Sequence, residues 1–387
     1  MTQDKQHNRP NVPPLRFSKF SGEWEKHLTT DFFEFKNGLN PDVKRFGSGT
    51  KFISVMDILN NRYITYDKII SSVEAKDDDL RDFGVNYGDI LFQRSSETLE
   101  DVGRANVYLD EKPALFGGFV IRGKRIGDYN PLFFRYLLSS PSVRKRIIVK
   151  GAGAQHFNIG QDGLSKVSLF VPSAKEQDRI AQLLNAIDKR IEVQSGLIED
   201  LQKLKAALYQ KVFSSIPGEE VALSNLAKII KGKQINGTEL FDSGNYYVMN
   251  GGTLPSGFYN EYNTPANTIS ISEGGNSCGY VQFNNVPFWS GGHCYTLQIT
   301  SKQIHLSYLY HYLKHREQVI MELRIGSGLP NIQKKDLERF PILMPTIEVQ
   351  QRLSRIFDSL QRKEEVEKSI LNRCLSQKQY LLQKMFI

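Results

Sequence analysis

Cysteines and long apolar runs are both scarce in this chain, and each scarcity excludes a class of protein. The three cysteines, Cys278, Cys294 and Cys374, are odd in number and lack paired spacing. This argues against a disulfide framework or a zinc cluster and favours a reducing compartment. No apolar run approaches the roughly 20 residues of a membrane-spanning helix, and the opening MTQDKQHNRPNVPP lacks the apolar core of a secretion signal. We therefore expect a cytoplasmic protein without a membrane partner.

Motifs that mark common enzyme classes are also missing. The sequence has no Gly-x-Gly-x-x-Gly dinucleotide motif, no His-Glu-x-x-His metal motif and no Asn/Asp-Pro-Pro-aromatic box of amino-methyltransferases. One incomplete match remains, because Asp42, Glu74 and Lys76 follow the order in which some nucleases gather carboxylates around a metal. A self-sufficient magnesium-dependent nuclease built on these three residues is therefore an alternative hypothesis.

The composition is that of folded globular domains. With 387 residues, 40% of them hydrophobic and 11% aromatic, the chain is long enough for two domains and apolar enough to give each a core. Lys and Arg number 50 against 42 Asp and Glu, so the formal net charge is a modest +8. The position of that excess along the chain is therefore more informative than its size.

A duplicated segment is the most informative feature of the sequence. When the chain is shifted by 173 positions, residues 158–213 align without a gap on residues 331–386, and 13 of the 56 aligned pairs are identical. Weaker similarity upstream follows the same order, with LFGGFVIR at 115–122 corresponding to WSGGHCYTLQI at 289–299. The period far exceeds the roughly 20 to 50 residues of solenoid repeats. The pattern therefore indicates two copies of a whole domain.

Each copy has two parts. The first part mixes short β-branched or aromatic runs with Gly and Asn turns, which is typical of a mostly β or mixed domain. The second part, residues 175–213 in the first copy, lacks proline and carries apolar residues at 4-3 spacing, which predicts a long helix with one apolar face. A stripe this long needs an apolar partner, so we expect the two helices to pair. If a pseudo-two-fold axis relates the two copies, the helices must run antiparallel. The predicted seam residues are Ile180, Leu184, Ile187, Ile191, Ile198, Leu201, Leu353, Phe357 and Leu360.

The order of motifs narrows the family. A leader of the type VPPLRFSKFSGEWEKHLTTDFFEF is followed by a Gly-rich GAGAQHFNI loop, by LFVPSAKEQDRIAQLLNAID and by a long helix, and the loop, proline and helix then recur. This order resembles that of the specificity subunits of type I restriction-modification systems. The second copy departs from the first where Val349 replaces Glu176 and where Pro330 stands in its loop.

The resemblance implies both a fold and a function. It implies an α+β chain with two similar target-recognition domains separated by two long antiparallel helices, related by a pseudo-two-fold axis. The chain would then divide into a disordered leader (1–15), a first recognition domain (16–172), a central helix (173–215), a second recognition domain (216–345) and a C-terminal helix (346–387). It would be a non-catalytic subunit that reads a bipartite, asymmetric site in double-stranded DNA.

The resemblance also implies partners and cofactors. The helices would dock two methyltransferase subunits and, in the full complex, restriction subunits with translocase activity. No cofactor is expected in this chain, and S-adenosylmethionine, ATP and magnesium are expected in the partner subunits. A duplicated scaffold that does not bind DNA is the remaining alternative.

Basic residues concentrate just before the first Gly-rich loop. Residues 121–150 contain eight basic residues and one acidic residue, whereas residues 216–345 contain ten of each. Such a cluster suits the DNA phosphate backbone, whose contacts give affinity and salt dependence without sequence information. The residues predicted to contact the backbone are Arg122, Lys124, Arg125, Arg144, Lys145, Arg146 and Lys150.

Base reading requires side chains that offer donors and acceptors to base edges, as Arg does to guanine and Asn or Gln to adenine. The candidates are Gln155, His156 and Asn158 in the first loop, Asn331 and Gln333 in the second, and the unshared Arg94, Arg104, Lys233 and Asn276. Asn158 and Asn331 have a second interpretation. Because both copies share them, they could instead fix a turn or cap the following segment.

Overall fold

The computed structural model describes residues 10–153, 155–326, 328 and 330–387. The contacts of the chain divide it into two units: unit 1 combines Met1–Ser195 with Ile370–Ile387, and unit 2 is Gly196–Ser369. Each unit therefore holds one globular part and a portion of each long helix. Within the described ranges, no helix has the length and apolar character needed to cross a membrane.

Short strands and short helices alternate along the globular part of unit 1. Its described strands are β1 (Glu25–Leu28), β2 (Phe33–Asn37), β3 (Phe46–Ile53), β4 (Ser72–Val73), β5 (Ile90–Gln93), β6 (Ser95–Ser96), β7 (Ala105–Val107), β8 (Leu115–Phe116), β9 (Val120–Arg125), β10 (Phe157–Asn158) and β11 (Ser168–Val171). Its described short helices are α1 (Val55–Asn60), α2 (Asp79–Phe83), α3 (Pro131–Ser139), α4 (Pro141–Ile148) and α5 (Gln161–Ser165).

Two sheets organise these strands. A four-stranded antiparallel sheet has the order β2-β9-β5-β7, and a three-stranded sheet has the order β4-β3-β8, in which β3 and β8 are parallel. Strand β5 is buried along its whole length, so it forms the centre of the unit. The first strand, β1, pairs with the last, β11, and this pairing brings the start of the domain to the base of the long helix that follows β11.

Unit 2 repeats this plan. Its described strands are β12 (Glu219–Ala222), β13 (Ala227–Lys231), β14 (Tyr246–Met249), β15 (Gly257–Tyr259), β16 (Thr268–Ser272), β17 (Val281–Asn284), β18 (Trp289–Ser290), β19 (Cys294–Ile299) and β20 (Pro341–Met344). Its described short helices are α7 (Leu306–His315), α8 (Glu317–Glu322) and α9 (Lys334–Glu338).

Nine strands of unit 1 correspond in order and pairing to the nine described strands of unit 2, and the pair β6–β10 is additional to unit 1. The order β13-β19-β16-β17 matches β2-β9-β5-β7, and β15-β14-β18, with its parallel β14–β18 pair, matches β4-β3-β8. The pair β12–β20 likewise matches β1–β11. The predicted α+β class and internal repeat are therefore confirmed, since the similarity extends to strand pairing well upstream of the gapless sequence match.

Two long helices each contribute residues to both units. They are α6 (Ala174–Phe213) and α10 (Ile347–Lys384), and both lie within the ranges predicted for them. In unit 2, Lys205 contacts Glu364 while Tyr209, further along α6, contacts Phe357, earlier in α10. The portions of the two helices in unit 2 therefore run antiparallel.

The residues of the predicted seam pack in two different places. Ile180 and Leu184 lie in the main hydrophobic core of unit 1, and Leu353 and Phe357, their equivalents 173 positions later, lie in that of unit 2. Assigning these four residues only to a helix-to-helix seam is therefore wrong, because each helix begins by packing on its own domain. Further along, Ile198 and Leu201 are buried, and Ile187, Ile191 and Leu360 are partly buried.

A repeated glutamine fixes the start of each long helix. Gln177 donates from Nε2 to the Pro172 carbonyl and accepts at Oε1 from the backbone N–H of Asn130, the N-cap residue of α3. Gln350 makes the same contacts with the Pro345 carbonyl and with the backbone N–H of His305, the N-cap residue of α7. The identity of this residue in both copies thus has a structural cause.

The predicted disorder of the leader needs correction. Residues 1–9 lie outside the described residues. Residues 10–15, by contrast, are tied to unit 1: Asn11 accepts a backbone hydrogen bond from Trp24, and the backbone N–H of Leu15 donates to the Lys384 carbonyl. These bonds hold the segment across the end of α10, so it is part of the fold.

Candidate nucleic-acid interface

The arginines of the basic cluster have structural partners. Arg122 is only 6% exposed, donates to the Gly84 carbonyl and stacks 5.4 Å from the ring of Phe116. Burial is the main influence on its pKa and lowers it. The predicted phosphate contact is therefore wrong for Arg122, because a guanidinium enclosed in this way cannot reach a phosphate on the surface.

The side chains of Arg144 and Arg146 are likewise hydrogen-bonded within unit 1. Arg144 donates to the carbonyls of Glu100 and Val102 at 2.8 and 2.7 Å, and burial lowers its pKa to about 10. Arg146 donates to the Ser168 carbonyl and stacks on Phe170. Both side chains hold α4 against neighbouring segments, so neither fits the predicted backbone contact.

Arg125 is bound too, but less deeply. Its guanidinium lies 3.1 Å from Asp128 and 4.9 Å from the Tyr129 ring centroid, and its side chain is 29% exposed. Lys124, Lys145 and Lys150 are exposed instead. Lys150 directly precedes the Gly-rich loop. The phosphate contacts of these three lysines stay a prediction, and the cluster has fewer available charges than the sequence indicates.

The first Gly-rich loop folds back on itself beside the four-stranded sheet. Ala152 and Asn158 pair across the loop, and β10, which contains Asn158, pairs with β6. The Oγ of Ser95 also bonds the Asn158 side chain. Gln155 and His156 are exposed at the turn. Ala154, which precedes them, lies outside the described residues. Asn158 therefore fixes the loop, as its second interpretation expects.

The second loop has the same geometry. Ile325 and Asn331 pair across it, at positions 173 later than Ala152 and Asn158, and Asn331 also pairs with Gly274. Ser327 and Leu329 lie outside the described residues. Gln333 is the N-cap residue of α9 and is partly buried, while Asn276 is exposed in a turn whose Gly275 N–H donates to the Pro330 carbonyl. The candidates Asn276 and Asn331 are thus close neighbours.

Backbone hydrogen bonds identify a second pair of equivalent positions beside these loops. The N–H of Arg94 donates to the Phe119 carbonyl, and the Arg94 carbonyl accepts from Ile159. Glu273 makes the same two bonds with His293 and Ile332. These hydrogen bonds define one backbone arrangement, the frame, that is present in both copies. Arg94 and Glu273 occupy equivalent positions in the frame, and each directly follows an inner strand of its sheet.

The side chains on this common frame differ sharply. Arg94 donates from Nη1 to the Gly118 carbonyl at 3.3 Å. Glu273 is 8% exposed and accepts at Oε1 from Lys231 (2.6 Å) and from the Tyr295 hydroxyl (3.0 Å), while its Oε2 is 3.7 Å from His293 Nδ1. One copy thus presents an arginine, and the other presents a carboxylate that anchors exposed cationic or imidazole groups.

The remaining candidates lie nearby. Lys233 is exposed, and its carbonyl accepts from the Trp289 indole, next to Gly232 at the end of β13. Arg104 is half exposed and pairs with Asp101, beside strand β5. Sequence reasoning missed Glu273, Lys231 and His293. The available signal was the alignment of the Gly-Gly-Phe and Gly-Gly-His turns, which places Phe119 opposite His293.

Among the proposed nuclease residues, Glu74 is hydrogen-bonded to neighbouring residues. The Glu74 carboxylate accepts from the Ser48 hydroxyl at 3.2 Å. Arg45 donates to the Glu74 carbonyl and pairs with Asp79. In the part of the chain that the structure describes, no group of three or more His, Cys, Asp or Glu side chains is arranged to hold a metal ion.

Comparison with known proteins decides the family. The model of the type I restriction modification DNA specificity domain matches residues 21–203 and again residues 217–374. The chain belongs to this family. A Mycoplasma genitalium protein named as a type I specificity subunit is 24% identical over 270 residues, 66% of this chain and 70% of that protein. A Methanocaldococcus jannaschii specificity subunit of a type I restriction enzyme is 22% identical over 418 residues, 95% of this chain and 96% of that protein.

Solved structures of the specificity-subunit family share the fold. The crystal structure of a type I restriction-modification S subunit from M. genitalium superimposes with a TM-score of 0.71 at 21% identity, covering 97% of this chain and 99% of that chain. A chain from a study of type I complex assembly superimposes with a TM-score of 0.54 at 15% identity, covering 93% and 96%. The predicted tandem recognition domains and long helices are therefore confirmed at the level of the fold.

Proposed function

We propose that this chain is the non-catalytic specificity subunit of a type I restriction-modification complex, and that its two domains each read one half of a bipartite, asymmetric site in double-stranded DNA. The observation that carries the proposal is the equivalence of Arg94 and Glu273, which share their backbone hydrogen bonds and differ in charge. Bases are distinguished by side-chain donors and acceptors. Two copies of one frame with different side chains therefore suit two different half-sites.

The long helices are the proposed docking surface for two methyltransferase subunits. Val193 and Val366 are identical residues at equivalent positions, 71% and 57% exposed. Packing within each unit does not explain this identity, because both side chains face solvent. Two equivalent apolar positions suit two copies of one partner. The methyltransferase subunits would supply S-adenosylmethionine, and restriction subunits in the full complex would supply ATP and magnesium chemistry.

Selection from a random duplex library tests the proposal. The chain, assembled with the methyltransferase subunits of its host, is expected to enrich duplexes with two short conserved blocks separated by a fixed gap. The methyltransferase subunits without the chain serve as the control and should enrich nothing. Enrichment of a single block, or of the same sequences with and without the chain, would contradict the proposal.

A cleavage assay addresses the alternative. The purified chain, incubated alone with plasmid DNA and magnesium, is expected to leave the DNA intact. Products that disappear in the Asp42→Asn variant would favour the nuclease hypothesis instead. Absence of any DNA binding at low salt would favour a scaffold role.

A further inference from the structure

An exposed phenylalanine stands at the predicted base-reading site of the first domain. Phe119 is 68% exposed, although burying an aromatic side chain of this size stabilises a fold. Its carbonyl is held by the Arg94 N–H, and the preceding residue, Gly118, accepts from the Arg94 guanidinium. The backbone of Phe119 is therefore held beside Arg94, while its ring is not covered by the rest of unit 1.

The same place holds an apolar groove with a polar rim. The groove has a volume of about 400 Å³, and its lining includes Phe46, Met56, Phe119 and the exposed residue Asn40. Phe46 and Met56 are themselves 44% and 59% exposed. Large apolar side chains are thus concentrated around Gly118, which lies against the Asn40 amide and whose carbonyl accepts from Arg94. Arginine suits guanine and asparagine suits adenine.

The second domain shows which parts of this site belong to the frame. A Cβ at Gly118 would overlap the Asn40 amide, and a Cβ at Gly292 would overlap the Gln234 amide, so an amide side chain lies against the equivalent glycine of each domain. The residue that follows is Phe119 in one domain and His293, 63% exposed, in the other. The frame is common to both copies, and the exposed residue at its tip differs.

We propose that Arg94 and Phe119 are the specificity-determining pair of the first domain and read a guanine next to a thymine in one DNA strand. The inference rests on the proposed function and adds the chemistry of the bases. One guanidinium N–H of Arg94 is anchored on Gly118, and other N–H groups donate to O6 and N7 of the guanine. The Phe119 ring and the groove contact the C5 methyl group of the thymine, the apolar group that distinguishes thymine in the major groove.

Deoxyuridine tests the methyl contact, because it differs from thymidine only by that methyl group. The probe is a duplex with the motif identified by methylome sequencing of the host, in which each thymine is replaced in turn. One replacement, beside a guanine, is expected to weaken binding by the assembled complex about fourfold. The Phe119→Ala complex should bind the thymine and uracil duplexes equally, while the His293→Ala control should keep the fourfold difference.

Arg94→Gln provides the second measurement. This variant should lose about tenfold or more of the discrimination at the neighbouring guanine in the same half-site. A Phe119→Ala complex that still distinguishes thymine from uracil would overturn the inference, and so would an Arg94→Gln effect at a base that is not adjacent to that thymine. If the wild-type complex bound every duplex alike, the proposed function itself would fail.

Discussion

Phe386 packs edge-on against Trp24, with 6.2 Å between the ring centroids. Its equivalent in the first copy, Phe213, packs in the same manner against Tyr308 in unit 2, with 5.9 Å between centroids. The end of each long helix thus completes the core of the domain encoded by the other copy. The repeated Gln-Lys-x-Phe ending of the two copies has its physical cause here.

Phe386→Ala is expected to destabilise unit 1 by about 3 to 5 kcal/mol, because it removes a buried ring and leaves a cavity beside Trp24 and Phe133. Urea unfolding followed by tryptophan fluorescence measures the change. Tyr380→Ala, at a position on the same helix that is 53% exposed, is the matched control and should change the free energy of unfolding little. Equal effects of the two variants would argue against the exchange of helix ends.

A chain that ends at Ser215 is expected to form a symmetric dimer. It keeps Phe213 but lacks Phe386, so Phe213 of a second copy can occupy the place beside Trp24. Such a dimer has two identical recognition domains related by a two-fold axis. With methyltransferase subunits it should methylate an inverted repeat of the first half-site, as methylome sequencing would reveal. An unchanged asymmetric motif would show that the second domain does not read DNA.

The Glu364 carboxylate links stability to pH. Burial raises its pKa, but hydrogen bonds from Lys205, Lys368 and Gln202 outweigh the burial and lower the pKa to about 2. A pKa below the ordinary value near 4.5 means that the ionised group stabilises the fold above about pH 4.5 and that this contribution disappears as the pH falls toward 2.

Glu364→Gln is therefore expected to be less stable than the wild type at pH 6 by up to about 3 kcal/mol, with a difference that shrinks between pH 5 and pH 3. Urea midpoints across this range measure it. Ser359→Ala, which changes an exposed residue of the same helix that does not titrate, should show no such trend. A difference between wild type and Glu364→Gln that does not vary with pH would contradict the assignment.

Two lysines should determine how DNA affinity depends on salt. Lys145→Gln and Lys150→Gln are each expected to weaken binding to all sequences alike and to flatten the plot of log K against log salt concentration by about 0.9. Arg144→Gln is the contrasting variant. Because the Arg144 side chain is largely buried and donates to the carbonyls of Glu100 and Val102, this variant should lower thermal stability instead. A lysine variant that changes the preferred bases would show that the residue reads sequence.

The sequence alone predicts which structural residues are equivalent in the two copies. The 173-residue offset predicts the equivalence of Phe213 with Phe386 and of Gln177 with Gln350, because each pair performs the same packing or capping role. The same alignment does not predict which groups a given side chain contacts. Arg144 counts as a surface charge in the sequence, and only the fold shows that two carbonyls surround it.

The reading site illustrates the same limit. Arg94 and Glu273 do not align in the gapless match, and their equivalence appears only from the strand order and from the hydrogen bonds on either side of each residue. Sequence analysis finds Arg94 because arginine commonly contacts guanine. It misses Glu273 because a carboxylate that holds other side chains in place has no local pattern.

The most direct test of the central claim is methylome sequencing of cells that express the methyltransferase subunits with the wild-type chain, with the Arg94→Gln variant or with no chain. The account predicts one bipartite motif with the wild-type chain, no motif without it, and a relaxed base in one half-site only with Arg94→Gln. An identical methylation pattern in all three strains would contradict it.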